Sequence, residues 1–444
     1  MNKLNNFEFN FLLFSLIGLT LILLKINIFF FFYYSLAMLG VMYIVLKEKT
    51  SYSLQYIYVS FFYFIISSIF VYINFADILA YQDQYFYVNQ SLGLISSNSY
   101  FQIIDDFFLV PSYLRFNNWT FVHFVNDYIF QDKRAILFFN FLFHFLTVIY
   151  VWKSFKYLFH NKNVQLYFFI TMLFSFPLLF VNSLYLKESF YGSLLILLLT
   201  SIKNKNIFLI IFSSFFLIKI RTSYFILLVL LSLFFRIIFS VNKKIKILIL
   251  VISIGIGCFG ITYISSLDNT RIKLIDYFNQ SKEGKNLTIY ELENFALNFV
   301  DKENLLSVQN IVILPIVGLF SPPPVRFLKT TDLRTFLESI MVSLWWWVGL
   351  PFFIIFVIGF FKIDYKLTAY IMGIFLSIYL GSSFSLISIA PEIFRYRLPI
   401  FNMFIFGSFI GYYFYTLNKR YLYKKIVKIW FYGSSALYII YMLV

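Results

Sequence analysis

The residues able to do chemistry in this chain are ionisable groups in or beside apolar runs. Lys187 and Glu188 in NSLYLKESFYG stand about one turn inside such a run. Neighbouring helical positions point about 100° apart, so the two cannot neutralise each other side by side. Either Glu188 pairs with Lys219 or Arg221, or Lys187 faces a phosphate. Lys219 and Arg221 follow the run Ile207 to Ile218, which at 1.5 Å per residue reaches about 18 Å, short of a hydrocarbon core of about 30 Å. Either both cations lie within the bilayer and mark a partner, cavity or anionic ligand, or the helix starts near Lys203 and both side chains snorkel out.

PEIFRYRLP carries Glu392, Arg395 and Arg397 between Pro391 and Pro399. Glu392 and Arg395 are three apart and can share a face. Two guanidinium forks suit pyrophosphate better than ammonium groups do. SPPPVR holds Arg326 behind a stiff extended turn. Asp83, in a segment rich in aromatic and polar residues that includes Trp119 and is suited to an interface, is a candidate general base if burial raises its pKa. Trp345, Trp346 and Trp347 suit an interfacial aromatic belt.

Other chemistries lack their residues. Three histidines and the single Cys258 are too few for haem, iron–sulfur or structural zinc, so no metal or cofactor is expected. No Walker phosphate loop, Gly-x-Gly-x-x-Gly, Gly-x-Ser-x-Gly or Asp-x-Asp occurs. The energy must therefore come from an activated substrate or a gradient.

The elements that would position these residues are membrane spans. Of 444 residues 61% are hydrophobic, a ceiling of roughly thirteen crossings at about 20 residues each. Charged residues make up 13%, about half the share in soluble domains, and mean hydropathy is +0.81. Soluble enzymes, nucleic-acid binders and disordered chains are excluded. The sequence predicts an all-α polytopic bundle of 12 to 13 transmembrane helices, residues 1–444 forming one transmembrane domain. Apolar runs include 54 to 73, 135 to 152, 164 to 181, 184 to 200, 206 to 221, 223 to 240, 338 to 361, 367 to 388, 398 to 417 and 429 to 443.

The net charge of +16 follows the positive-inside rule if the N-terminus is an uncleaved cytoplasmic anchor. Alternate connections then carry Lys153, Lys156 and Lys162, Lys203 and Lys205, and Lys243, Lys244 and Lys246. The opposite side receives two long loops, 74–134 and 267–337. In the second, Thr288 and Glu291 have capping-box spacing ahead of an amphipathic helix.

An outer loop with Asp83 and aromatics, then LKES, KIR, SPPPVR and PEIFRYRLP, resembles the Wzy-like polymerases of O-antigen and capsule repeat units. These are integral inner-membrane glycosyltransferases similar to other lipid-linked-sugar enzymes. About three spans precede Asp83 here, where many such enzymes have one. The resemblance implies transfer of a glycan from undecaprenyl pyrophosphate to a lipid-linked acceptor at the periplasmic face, without cofactor, in contact with membrane lipid and open to a chain-length regulator. Lys187, Lys219, Arg221, Arg326, Arg395 and Arg397 would then stabilise the pyrophosphate, with Glu188 beside them, and Glu392 or Asp83 would accept the hydroxyl proton. A lipid-linked oligosaccharide flippase is the main alternative, but it would have short loops on both sides. An O-antigen ligase would place a histidine in the large outer loop, and 267–337 has none. A sugar acyltransferase would rest on His144 alone.

Overall fold

The structure, a computed structural model, describes residues 53–73, 88–89, 91–92, 118–130, 133–240, 336–337, 340–341, 344–385, 399–417 and 421–443. These residues are helical apart from short turns. Among the described residues three helical stretches are long and apolar enough to cross a membrane: Ala135–Leu158, Lys162–Asn182 and Ile400–Leu417. The amphipathic helix expected near Thr288 lies outside the described residues. The chain divides into two compact units, Met1–Thr222 with Phe401–Phe406, and Ser223–Ile400 with Gly407–Val444.

In the first unit the helices are α1 (Ser53–Tyr72), α2 (Asn118–Phe130), α3 (Ala135–Phe155), α4 (Lys162–Phe174), α5 (Phe176–Asn182) and α6 (Lys187–Asn204). Helix α3 is central, packed against α1, α2, α4, α5 and α6. Its two ends differ in chemistry. At one end the 3₁₀ turn Lys156–Leu158 leads to α4, capped by the Asn161 side chain, which accepts from the Asn163 N–H at 2.8 Å. There α6 also ends. Lys205, at φ 55°, turns the chain, while Asn206 N–H returns to Ser201 O at 3.0 Å, a Schellman closure.

One apolar run is broken by its own sequence. Pro177 cannot donate to Leu173 O and its ring crowds that carbonyl, so the helix opens at Ser175, whose φ −60° and ψ 130° are extended, and restarts as α5. The next pair of runs shows the reverse. The stretches 206 to 221 and 223 to 240, expected as two spans with a turn at Arg221, form one helix, α7 (Ile207–Ser240), of 34 residues and about 51 Å. No Gly or Pro interrupts it. The expectation of an outer helix end at Lys219 and Arg221 is therefore corrected: both lie inside a continuous helix.

The second unit contains α8 (Leu350–Ile363), entered through a π-helical turn Leu344–Gly349, then α9 (Tyr365–Ser385), the Gly407 to Leu417 part of α10 (Ile400–Leu417), and α11 (Tyr421–Leu443). Asp364 caps α9 by accepting from Leu367 N–H at 3.0 Å. Trp347, from the expected aromatic belt, meets the Phe431 ring at 5.7 Å. Helices in lipid associate through close packing rather than hydrophobic transfer, which places small residues at crossings. Gly407 and Gly411, four apart, face α8: a Cβ at Gly411 would collide with Phe352 O, and one at Gly407 would lie 2.6 Å from the Phe353 ring.

Gly411→Ala is expected to destabilise the detergent-solubilised protein by about 1–3 kcal/mol. Gly433→Ala, where a Cβ meets nothing within 4 Å, is expected to cost nothing. Paired thermal melts check this, and equal melting temperatures for the two variants would refute the close crossing.

Candidate functional site

The break at Ser175 is held open by a histidine. His144 is fully buried on α3, and its Nε2 lies 3.0 Å from Met172 O, a carbonyl released by the break. A carbonyl only accepts, so Nε2 carries the proton, and Nδ1 faces Ser193 Oγ at 3.4 Å as acceptor. His144 thus repairs backbone, as buried polar groups at a proline break require. That is a structural employment for the histidine considered above as an acyltransferase base.

Past α5 the chain turns through Ser183, Leu184, Tyr185 and Leu186 before entering α6, and this turn is buried. Its carbonyls need donors, since a buried unmatched one costs about 1–3 kcal/mol. Asn140 Nδ2 donates to Leu184 O at 3.1 Å. Trp119 Nε1 donates to Tyr185 O at 2.9 Å, and His123 Nε2 reaches the same oxygen at 3.1 Å. Trp119 and His123 are one helical turn apart on α2, so this helix lies on the turn as a roof. One turn further, Asp127 accepts from Ser91 Oγ at 2.6 Å, which ties residue 91 to the same helix.

This arrangement corrects the expectation for Trp119, which is not interfacial but 1% exposed. Its ring stacks at 5.7 Å on Phe190 of the first turn of α6. Phe190 in turn meets Phe143 at 4.6 Å, Phe139 at 5.3 Å and Phe216 of α7 at 5.8 Å.

Three of the ionisable residues expected at a site stand within three positions of Phe190 or Phe216 along α6 and α7. Lys187 and Glu188 open α6 between Leu186 and Phe190, Lys187 half-buried and Glu188 1% exposed. An acidic group in a first helical turn is favoured by the helix dipole. Lys219 follows Phe216 by three positions, hence on a similar face, and is half-buried. It lies about 18 Å along α7 from Ile207. Because α6 closes at Lys205 and Asn206 caps α7 by accepting from Leu209 N–H at 3.2 Å, the helix does not begin near Lys203. The start near Lys203 that accompanied the snorkelling reading is thereby corrected to Ile207.

Arg221 continues the same helix. Asp83, Arg326, Glu392, Arg395 and Arg397 lie outside the described residues. Among the described residues no group of His, Cys, Asp and Glu could hold a metal ion. His123, Asp127, Asn140 and His144 organise the site, and their part in it was not foreseen. The spacing of Trp119, His123 and Asp127 at four-residue steps was the available signal for α2. No protein-family model, curated protein or solved structure matches the chain.

Burial pushes the His123 imidazole down to about 4, outweighing the Tyr185 carbonyl, which favours the charged form. Between about pH 6.5 and 4 the unfolded chain therefore binds a proton that the folded chain refuses, so stability falls as pH drops through this window. The loss amounts to about 3 kcal/mol at most. Melting temperature followed against pH should show the decline, and His123→Gln should flatten it. An unchanged slope in that variant would assign the decline to other groups.

Proposed function

We propose that this protein is a polytopic membrane glycosyltransferase that polymerises undecaprenyl-pyrophosphate-linked repeat units at the periplasmic face of the bacterial inner membrane. The observation that supports this reading is that Lys187 and Glu188 stand in the first turn of α6, whose Phe190 stacks on Trp119 and meets Phe216, three positions before Lys219 on α7. This cluster lies at the end of the first unit away from Lys153, Lys156, Lys162, Lys203 and Lys205. Within the first unit the connections bearing Lys153, Lys156, Lys162, Lys203 and Lys205 share one end, as cytoplasmic connections should.

In the proposed reaction the acceptor hydroxyl attacks the anomeric carbon of the lipid-linked glycan, and the bond from that carbon to the pyrophosphate oxygen breaks. The hydroxyl proton passes to a carboxylate, Glu392 or Asp83, and undecaprenyl pyrophosphate leaves. Negative charge grows on the departing oxygen, so cations already held in place favour the transition state over the ground state. Lys187 and Lys219 do this from α6 and α7, with Arg221, Arg326, Arg395 and Arg397 as the further cations. Glu188, one position on from Lys187, gives the cation cluster an acidic neighbour in the first turn of α6. The apolar wall accommodates the polyprenyl part of the donor. The partners in this reading are the lipid-linked glycan and membrane lipid.

A strain lacking the gene should display single-repeat glycan on its surface lipid with the long ladder gone. Loss of all surface repeats, with lipid-linked units trapped inside, would instead make the cation cluster a transport site. Lys187→Ala and Lys219→Ala should each lower polymerisation about 10- to 1000-fold at unchanged membrane abundance. Arg221→Ala and Arg395→Ala test the pyrophosphate assignment directly, which falls if both retain full activity.

A further inference from the structure

The opposite end of the first unit has chemistry that the proposed reaction does not use. Between residues 133 and 240 the one acidic residue is Glu188, at the far end of α6, whereas lysines gather where α3 and α6 finish and α4 and α7 begin. Lys203 is committed to structure: its Nζ donates to Ser154 O and lies 4.6 Å from the Phe155 ring and 4.5 Å from the Tyr157 ring. Lys156 lies over Trp152 at 4.8 Å. Asn204 Nδ2 and Gln165 Nε2, donating to Ser154 Oγ and to Phe159 O at 2.9 Å, bind the ends of these helices to one another.

On this braced base Lys153, Lys162 and Lys205 remain exposed. Beside them are apolar and aromatic side chains that water does not favour: Phe208 is 74% exposed, Ile207 71% and Tyr157 56%. Exposed lysines bordered by exposed aromatic and aliphatic groups match a boundary between headgroups and acyl chains, where the cations meet phosphate and the apolar groups meet hydrocarbon.

We propose that this end is a binding site for anionic phospholipid, with Lys153, Lys162 and Lys205 on the headgroup and Tyr157, Ile207 and Phe208 against the upper acyl chains. The site is independent of the glycosyl-transfer reading, because its residues lie at the other end of α3 and α6 from Lys187 and Glu188.

The test uses the full chain in neutral detergent, titrated with phosphatidylglycerol, phosphatidylcholine or inorganic phosphate, with bound lipid read by native mass spectrometry and stability by thermal melting. Phosphatidylglycerol should be retained at least about tenfold better than phosphatidylcholine and should raise the melting temperature. Each lysine near an anionic surface contributes about fivefold, so the triple variant Lys153→Gln, Lys162→Gln, Lys205→Gln should bind on the order of a hundredfold more weakly. Equal retention of the two lipids by the unaltered protein overturns the proposal, as does full stabilisation by inorganic phosphate alone. The lipid comparison on the unaltered chain decides even if the triple variant does not fold.

Discussion

The first unit depends on one constraint: the backbone carbonyls of a turn buried among helices must find donors. Tyr185 O takes two, from Trp119 and His123, and Leu184 O takes one from Asn140. Water cannot serve them at such burial, so α2 has to lie across the turn and α3 has to present Asn140 at its level. Where the turn ends, α6 begins, and this placement sets Lys187 and Glu188 under the roof. The positions of the charged residues follow from the hydrogen bonding of uncharged ones.

The same logic accounts for the broken helix. Pro177 removes a donor and frees carbonyls, and His144 with Ser193 returns a hydrogen bond to Met172 O from a neighbouring helix. A second histidine, His123, serves the adjacent turn. Two of the three histidines in the chain thus hold irregular backbone together, and neutral imidazole suits the task because one nitrogen donates while the other accepts. In the second unit close approach replaces hydrogen bonding, with Gly407 and Gly411 letting α10 meet α8 nearly backbone to backbone.

These constraints leave the first unit chemically polarised. One end gathers lysines on helix ends held together by amide side chains, and the other carries Lys187 and Glu188 in the helical turn whose Phe190 joins the aromatic cluster.

By itself the sequence determined the helical class, the apolar helices and the segregation of lysines, because each follows from local composition and spacing. It also marked Lys187, Glu188 and Lys219 as costly charges, since an ionisable residue in an apolar run stands out without any structure. The turn expected at Arg221 failed because charge alone does not end a helix: with no Gly or Pro from Ile207 to Ser240, the backbone had no reason to stop. The break at Pro177 was equally legible, yet hydropathy passes over it. Only the tertiary structure decided that Trp119 is buried, that His123 and Trp119 share one carbonyl, and that the turns bearing Glu188 and Lys219 flank one aromatic cluster. Those facts depend on which distant segments meet, 62 residues apart for His123 and Tyr185, and no local pattern encodes that separation.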